Sequence, residues 1–525
     1  MTAEAVEAGT RDDMGHRHVL ESLSGLLLVL FVAMISSTVV STALPLIIGS
    51  LNGTQTQYTW VVTATLLAAT ATTPIWGKLA DLFNKKTLVQ VAIVIFVVGS
   101  MISGFSQNTG QLIAARAFQG IGIGGLQALV QVVIAAIIPP RERGKYNGLL
   151  GAVMAVATVG GPLLGGLIVD VSWLGWRWCF FVGVPIAVIA FVVLQRTLHL
   201  ETVRRENVQV DYLGAGLIAA GVSVLLIWVS FVGNSFDWLS WQTALMVAGG
   251  VVLLAGAVLV EKRVREPIVP LGIVVQRTPA LAIVASLAVG MAMFGGAVFL
   301  GQYFQVGRGY TPTEAGLLTI PMMAGVLVSS TVSGRMISRS GKVKPYIVTG
   351  AVILVLGFLG LGMVDHATSL WLVGIAMAVV GIGVGMTMQN LVLAVQNSVP
   401  MRDLGAASAS VTFFRSLGGT IGVSVLGAVL ANRVTADLAA ALHVPEGQAS
   451  TGSTSALNLK ALPPEIQTVV HTVYGDATAH IFLISAAVAV VGVIAALLLK
   501  PITLRTTIDL EKKDEDTVVS DPIVG

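Results

Sequence analysis

Fourteen long apolar runs constrain this chain more than any other feature. They fall at about 24–48, 59–80, 87–106, 110–138, 147–169, 177–197, 212–232, 242–260, 280–305, 314–334, 345–364, 370–395, 404–430 and 479–499. A helix needs about 20 apolar residues to cross the hydrocarbon core of a bilayer, and each run is of that order. In hydrocarbon the backbone must bond within its own segment, so the runs are predicted to be helices. A β-barrel would show short alternating segments instead. Composition agrees, because charged residues are 11% and apolar residues 55% of the chain, whereas soluble domains carry about 25% charge. A soluble enzyme and a disordered scaffold are excluded. Cys179 is the single cysteine, so no intrachain disulfide or cysteine-based metal site is expected.

Residues 1–23 are polar and acid-rich, and the run behind them is too long for a signal peptide and lacks a small-residue cleavage site. It is expected to stay as the first helix. Cytoplasmic loops collect Lys and Arg. With the N-terminus in the cytoplasm, 24 of the 30 bases fall on that side. Arg177, Arg308, Arg433 and Lys460 fall outside, and Arg116 and Arg415 lie within spans. A multi-pass protein of the cytoplasmic membrane is expected, with both termini inside the cell.

The two halves of the sequence echo each other. Gly77-Lys78-Leu79 matches Gly334-Arg335-Met336, and Gly120, Gly122 and Gly124 match Gly381, Gly383 and Gly385. Pro139, Arg141, Glu142 and Gly144 match Pro400, Arg402, Asp403 and Gly405, and Gly160-Gly161 matches Gly418-Gly419. The offsets stay between 257 and 261 residues. Helices 1–6 then correspond to helices 9–14 in a parallel repeat, the arrangement in which a transporter holds its substrate between halves near the midplane. The expected organisation is an N-tail (1–23), a six-helix bundle (24–198), a linker with two inserted helices (199–279), a second six-helix bundle (280–500) and a C-tail (501–525). The second bundle carries a long polar outer loop at 431–478, with helical fragments expected at 432–442 and 463–475, which is either a contact for an envelope partner or a spacer.

Several motifs on this frame resemble the major facilitator superfamily, and in particular its fourteen-helix multidrug branch of drug–proton antiporters. Gly77-Lys78-Leu79-Ala80-Asp81-Leu82-Phe83-Asn84-Lys85-Lys86 resembles the superfamily's loop between helices 2 and 3. Gly77 allows close helix approach, Asp81 can meet a helix N-terminus of the other half, and Lys85 and Lys86 stay in the cytoplasm. Asn84 stands where the family usually has Gly, and Asn tolerates the left-handed backbone expected there. The second copy has Ser338 in place of the acid, so a one-sided latch is expected. Leu112, Arg116, Gln119, Gly120 and Gly122 match the helix-4 motif, in which the resemblance associates the arginine with proton transfer. The other reading of Arg116 is structural, as a donor to carbonyls. Gly160-Gly161-Pro162-Leu163-Leu164-Gly165-Gly166 resembles the antiporter marker of helix 5. Its glycines, Gly161, Gly165 and Gly166 among them, let another helix pack on bare backbone, and Pro162 bends the helix.

One departure bears on mechanism. Many members of the branch carry Asp where this chain has Ser36, and none of the 27 acids falls in the middle of a predicted span. Proton coupling is therefore expected to run through Asp170 or Glu314, near the outer entrance, together with Arg116. The candidate cavity groups are Gln127, Gln131, Gln302, Gln305, Gln389, Asn390 and Arg415, with Phe294 and Met386 as soft apolar surface. Without a central acid, neutral, zwitterionic or anionic amphiphiles are expected to fit better than lipophilic dications. The resemblance implies export of small amphipathic compounds by alternating access, energised by the proton gradient and without a cofactor. Membrane lipids are the expected surroundings, no nucleic-acid partner is expected, and a monomer is expected. A dedicated exporter of an endogenous lipid or metabolite is the second reading, and a channel the third. A membrane enzyme would need a catalytic cluster, and no zinc-binding HExxH, GxSxG or Walker pattern appears in the sequence.

Overall fold

The computed structural model of the chain describes residues 3–52, 55–171, 174–198, 211–233, 236–264, 267–269, 271–400, 403–442 and 464–504. Fourteen long helices run through them: α1 Ala3–Ser50, α2 Gln55–Leu82, α3 Lys85–Gly104, α4 Thr109–Ile137, α5 Pro140–Asp170, α6 Trp178–Thr197, α7 Tyr212–Phe231, α8 Trp241–Glu261, α9 Arg277–Gln302, α10 Ile320–Ser340, α11 Lys344–Leu361, α12 Leu370–Gln396, α13 Leu404–Leu442 and α14 Pro464–Leu498. Among the described residues, thirteen helices are long and apolar enough to cross a membrane by length and composition. The fourteenth, α2, is rich in threonine and packs between α4, α7 and α13.

Local chemistry sets many of the helix ends. Asn108, Asp211 and Ser240 cap α4, α7 and α8 by accepting the N–H of Gln111, Gly214 and Thr243, which satisfies donors that a helix start leaves open. Asn84 caps α3 in the same way, accepting from Lys86 and Thr87, with an extended backbone (φ −61°). It is thus not left-handed, as the sequence suggested, because its side chain is needed as the cap. Gly341 ends α10 at φ +70°, where a side chain would be strained.

The repeat is visible in packing. In the first half a Cβ at Gly122 of α4 would stand 2.6 Å from Phe96 N, and one at Gly124 would stand 2.4 Å from Ala69 O. In the second half a Cβ at Gly383 of α12 would stand 2.6 Å from Leu354 N, and one at Gly385 would stand 2.5 Å from Val326 O. The same glycines let the same helices approach in each copy. The result is an all-α membrane fold of two six-helix halves, α1–α6 and α9–α14, related as a parallel repeat.

The insert, α7 and α8, is a helical hairpin. Its Ala215, Ile218, Val222 and Leu226 pack with Ala71 of α2 and Phe413 of α13, and Phe231 stacks on Trp60 at 4.8 Å. The hairpin therefore covers one seam between the halves.

Some helices run beyond the apolar runs. The polar segment 1–23 does not precede the first helix, because α1 runs without a break from Ala3. Within the outer segment 431–478, α13 continues to Leu442 and α14 starts at Pro464, where the sequence leads one to expect helical fragments at 432–442 and 463–475. These extensions pack on each other through Leu438 and Val470 with Val306, so burial carries the helices beyond their most apolar stretch. Residues 443–463 and 505–525 lie outside the described residues.

Candidate functional site

The two halves meet tightly at the end that carries most of the bases. Asp81, at the end of α2, accepts the N–H of Gly405 at 2.7 Å and of Ala406 at 2.8 Å. Its carboxylate thus sits on the N-terminus of α13, where the helix dipole and open donors favour an anion. Beside it a Cβ at Gly405 would stand 2.2 Å from Gly77 O. Across the molecule a Cβ at Gly144 would stand 2.2 Å from Gly334 O. The sequence repeat pairs Gly77 with Gly334 and Gly144 with Gly405, so the two contacts are one contact with the halves exchanged. The second seam has Ser338 where the first has Asp81. There Arg141 donates to Ser338 O at 3.2 Å and to Arg339 O at 3.3 Å. Lys86 is spent within the first half, donating to Gln195 O at 2.7 Å, and Lys85 opens α3.

A polar ladder crosses the seam deeper in. Arg143 donates to Gln396 Oε1 at 2.8 Å and also to Ile138 O and Ala135 O at the end of α4. Burial pushes its guanidinium down to about 10, so it remains a cation at neutral pH. Gln396 donates to Ser408 Oγ at 3.0 Å, and Gln131 Nε2 donates to Gln389 Oε1 at 3.2 Å. Sequence reading used Arg143 only as a topology charge. Its spacing from the end of α4, five residues after Ile138, was the available sign of a capping role.

Of the expected cavity groups, Gln131 and Gln389 meet directly, and half-buried Gln127 lies one turn from Gln131 on the same helix face. Arg415 is buried on α13, with Nη1 lacking any hydrogen-bond partner. It shares a face with Ser408 and Thr412. Phe294 packs on Gly419 and is partly exposed. The other groups lie elsewhere. Gln302 accepts from Tyr474 Oη at 2.9 Å, between α9 and α14, and Gln305 is exposed in the π turn Tyr303–Gly307. Met386 packs on Gly350 of α11, and Asn390 donates to Met386 O on its own helix.

Arg116 lies in the first half at the junction of α1, α3 and α4. It donates to Gln119 Oε1, whose amide reaches Ser100 Oγ at 2.7 Å and Ser36 Oγ at 3.4 Å. All four side chains are buried, and Arg116 Nε has no partner. The position that lacks the family's acid, Ser36, is therefore two hydrogen bonds from the arginine. Glu314 is not joined to it: it accepts from Thr311 N and Oγ1 in a capping box on the short helix Pro312–Leu318. The side chains of Asp170 and Pro162 lie outside the described residues. Helix α5 continues past Pro162 to Asp170. Gly161 faces Thr38 of α1, Gly165 is buried, and Gly166 faces Thr313 of the other half.

Sequence reading missed one cluster. Asp211 and Glu261, at the ends of α7 and α8, are buried, and so is Lys78 of α2. Lys78 and Asp211 both act electrostatically on Glu261, which accepts Val269 N–H at 2.8 Å. The inserted hairpin is thereby tied to the helix that carries Asp81. No group of three or more His, Cys, Asp or Glu that could hold a metal occurs among the described residues.

Two like halves of membrane-crossing helices, meeting through bare glycine backbone and a polar seam, define a two-domain membrane transporter. The family model of the Major Facilitator Superfamily matches residues 26–423, and the chain belongs to that superfamily. An MFS-type transporter of Mycobacterium tuberculosis (strain ATCC 25618 / H37Rv) is 35% identical over 473 residues, covering 90% of this chain and 68% of that protein. The multidrug transporter protein MdtP of Bacillus subtilis (strain 168) is 34% identical over 408 residues, covering 78% and 74%. Among solved structures, the human organic anion transporter MFSD10 (TETRAN) shares the fold with TM-score 0.61 at 13% identity, covering 92% of this chain and 99% of that one.

Proposed function

We propose that the protein exports amphipathic compounds across the cytoplasmic membrane by alternating access, in exchange for protons, with its base-rich end in the cytoplasm. The observation that carries this reading is the pair of exchanged glycine contacts, Gly77 with Gly405 and Gly334 with Gly144. Both close the same end, so parting them would open a path between the halves on that side. The multidrug name of the Bacillus relative supports export. The charge of the interior supports the substrate class. Arg116 and Arg415 are buried cations with unpartnered nitrogens. The buried acids among the described residues, Asp211 and Glu261, sit at the cytoplasmic end instead. Neutral, zwitterionic and anionic amphiphiles therefore suit this pathway better than lipophilic cations.

The test is transport in proteoliposomes under an imposed pH gradient, with a panel of anionic, zwitterionic and quaternary-ammonium amphiphiles. Gradient-dependent, saturable counterflow of the first two classes is expected. Flux confined to the quaternary-ammonium compounds would overturn the substrate assignment, and flux indifferent to the gradient would overturn the coupling.

A further inference from the structure

The α5–α10 seam holds a cavity of about 440 Å³ lined by Lys145, Tyr146, Arg335, Ser338 and Arg339. The first two residues come from α5 and the other three from α10, so its walls belong to different halves. Lys145, Arg335 and Arg339 are exposed. Among the described residues none of these three side chains has a hydrogen-bond or ion-pair partner, and the Ser338 hydroxyl is buried without one. Arg141 lies alongside, on the carbonyls of Ser338 and Arg339. Glu142 is the acid that acts on Tyr146. Among the described residues, four bases thus gather around one acid.

Membrane topology asks only that bases lie on the cytoplasmic side. It does not ask for unpaired cations around one cavity, where they repel each other. A phosphate would neutralise them: arginine offers paired N–H donors, lysine a point charge and serine a hydroxyl donor. The level is also suitable. The membrane-crossing part of α5 begins at Gly148 and that of α10 ends at Ser340, so the cavity lies at the edge of the apolar layer. Basic pockets between helices on this side are suited to lipid headgroups.

We propose that this cavity binds the phosphate of an anionic phospholipid of the inner leaflet, and that the headgroup, held by both halves, favours the conformation closed to the cytoplasm. This rests on the orientation proposed above. A ligand whose contacts exist only when α5 and α10 are together shifts the population toward that state.

Native mass spectrometry of the full chain in detergent tests the site, with titrations of phosphatidylglycerol, phosphatidylcholine and inorganic phosphate. The variants are K145Q/R335Q/R339Q and, as a control with bases removed elsewhere on the same side, R196Q/K262Q/R263Q. Parent and control are expected to prefer phosphatidylglycerol over phosphatidylcholine at least about tenfold, and the first variant to lose that preference. Equal phosphatidylglycerol affinity in the parent and the first variant overturns the site. Displacement of the lipid by inorganic phosphate overturns the lipid as its occupant. For the conformational part, spin labels at T87C and K500C report the closed fraction in nanodiscs with and without phosphatidylglycerol. The lipid is expected to raise that fraction in the parent and not in K145Q/R335Q/R339Q, and an unresponsive parent overturns the bridging. The lipid arms do not depend on which substrate is exported, so failure here is separable from failure of the transport reading.

Discussion

The Asp81 carboxylate of one half accepts the backbone N–H of Gly405 in the other at 2.7 Å, on the first turn of α13. A second bond to Ala406 makes the contact bidentate. Charged hydrogen bonds of this kind are worth about 1.5–3 kcal/mol each. Asp81→Asn keeps the shape but loses the charge and one acceptor. The closed fraction, read from spin-label distances across the cytoplasmic ends, is expected to fall by about tenfold or more, with transport reduced in parallel. An unchanged distance distribution would show that the latch is not held here.

Gly144→Val tests the exchanged contact without touching any charge. A Cβ at this position would overlap Gly334 O, so α5 and α10 must part. The variant is expected to reach the membrane and remain folded, because each half packs on its own core, yet to transport at background level and to label readily from the cytoplasmic side. Normal transport would mean that the seam tolerates separation.

Ser36→Asp returns a carboxylate two hydrogen bonds from Arg116. The pairing neutralises one of the two cations that lie within spans, Arg116 and Arg415. Preference should then move toward lipophilic cations, seen as stronger competition by quaternary-ammonium compounds in a binding assay. An unaltered competition profile would separate Arg116 from substrate choice.

Lys78 of α2 acts electrostatically on Glu261 of the inserted hairpin. Removing one partner of a buried ionic group costs about 3–5 kcal/mol, and without Lys78 the Glu261 carboxyl keeps the like charge of Asp211 beside it and loses an opposing one. Lys78→Met is expected to lower thermal stability in detergent, and Glu261→Gln added to it to restore part of the loss. Two additive losses would show that the groups act independently.

For proton coupling, the capping of Thr311 by Glu314 leaves Asp170 as the outer acid to test first. Asp170→Asn should abolish the dependence of flux on the pH gradient while leaving substrate binding intact. Glu314→Gln should keep gradient-driven flux and lose only a local cap. The opposite pattern would exchange their roles.

Much of the fold was legible in the chain because each signal was local or periodic. A span declares itself by about 20 apolar residues in a row. The repeat declared itself because glycines that admit a neighbouring helix must recur where the packing recurs, as Gly122 and Gly383 do. Helix ends were less legible. Helical fragments are expected at 432–442 and 463–475, and tertiary burial makes them unbroken continuations of α13 and α14.

Within the site, Arg116, Asp81 and Gln131 stood out by type and position, while their partners did not. The sequence alone determined how many helices there are, which ends carry the positive charge and which residues are unusual in hydrocarbon, because bilayer thickness and charge burial act on each segment separately. Only the tertiary structure decided that Asp81 meets Gly405, that Gln302 turns to Tyr474 and that Lys78 acts on Glu261 of the insert. Those pairings join residues from 172 to 324 positions apart. They depend on how whole helices lean on one another, which no single stretch of sequence encodes.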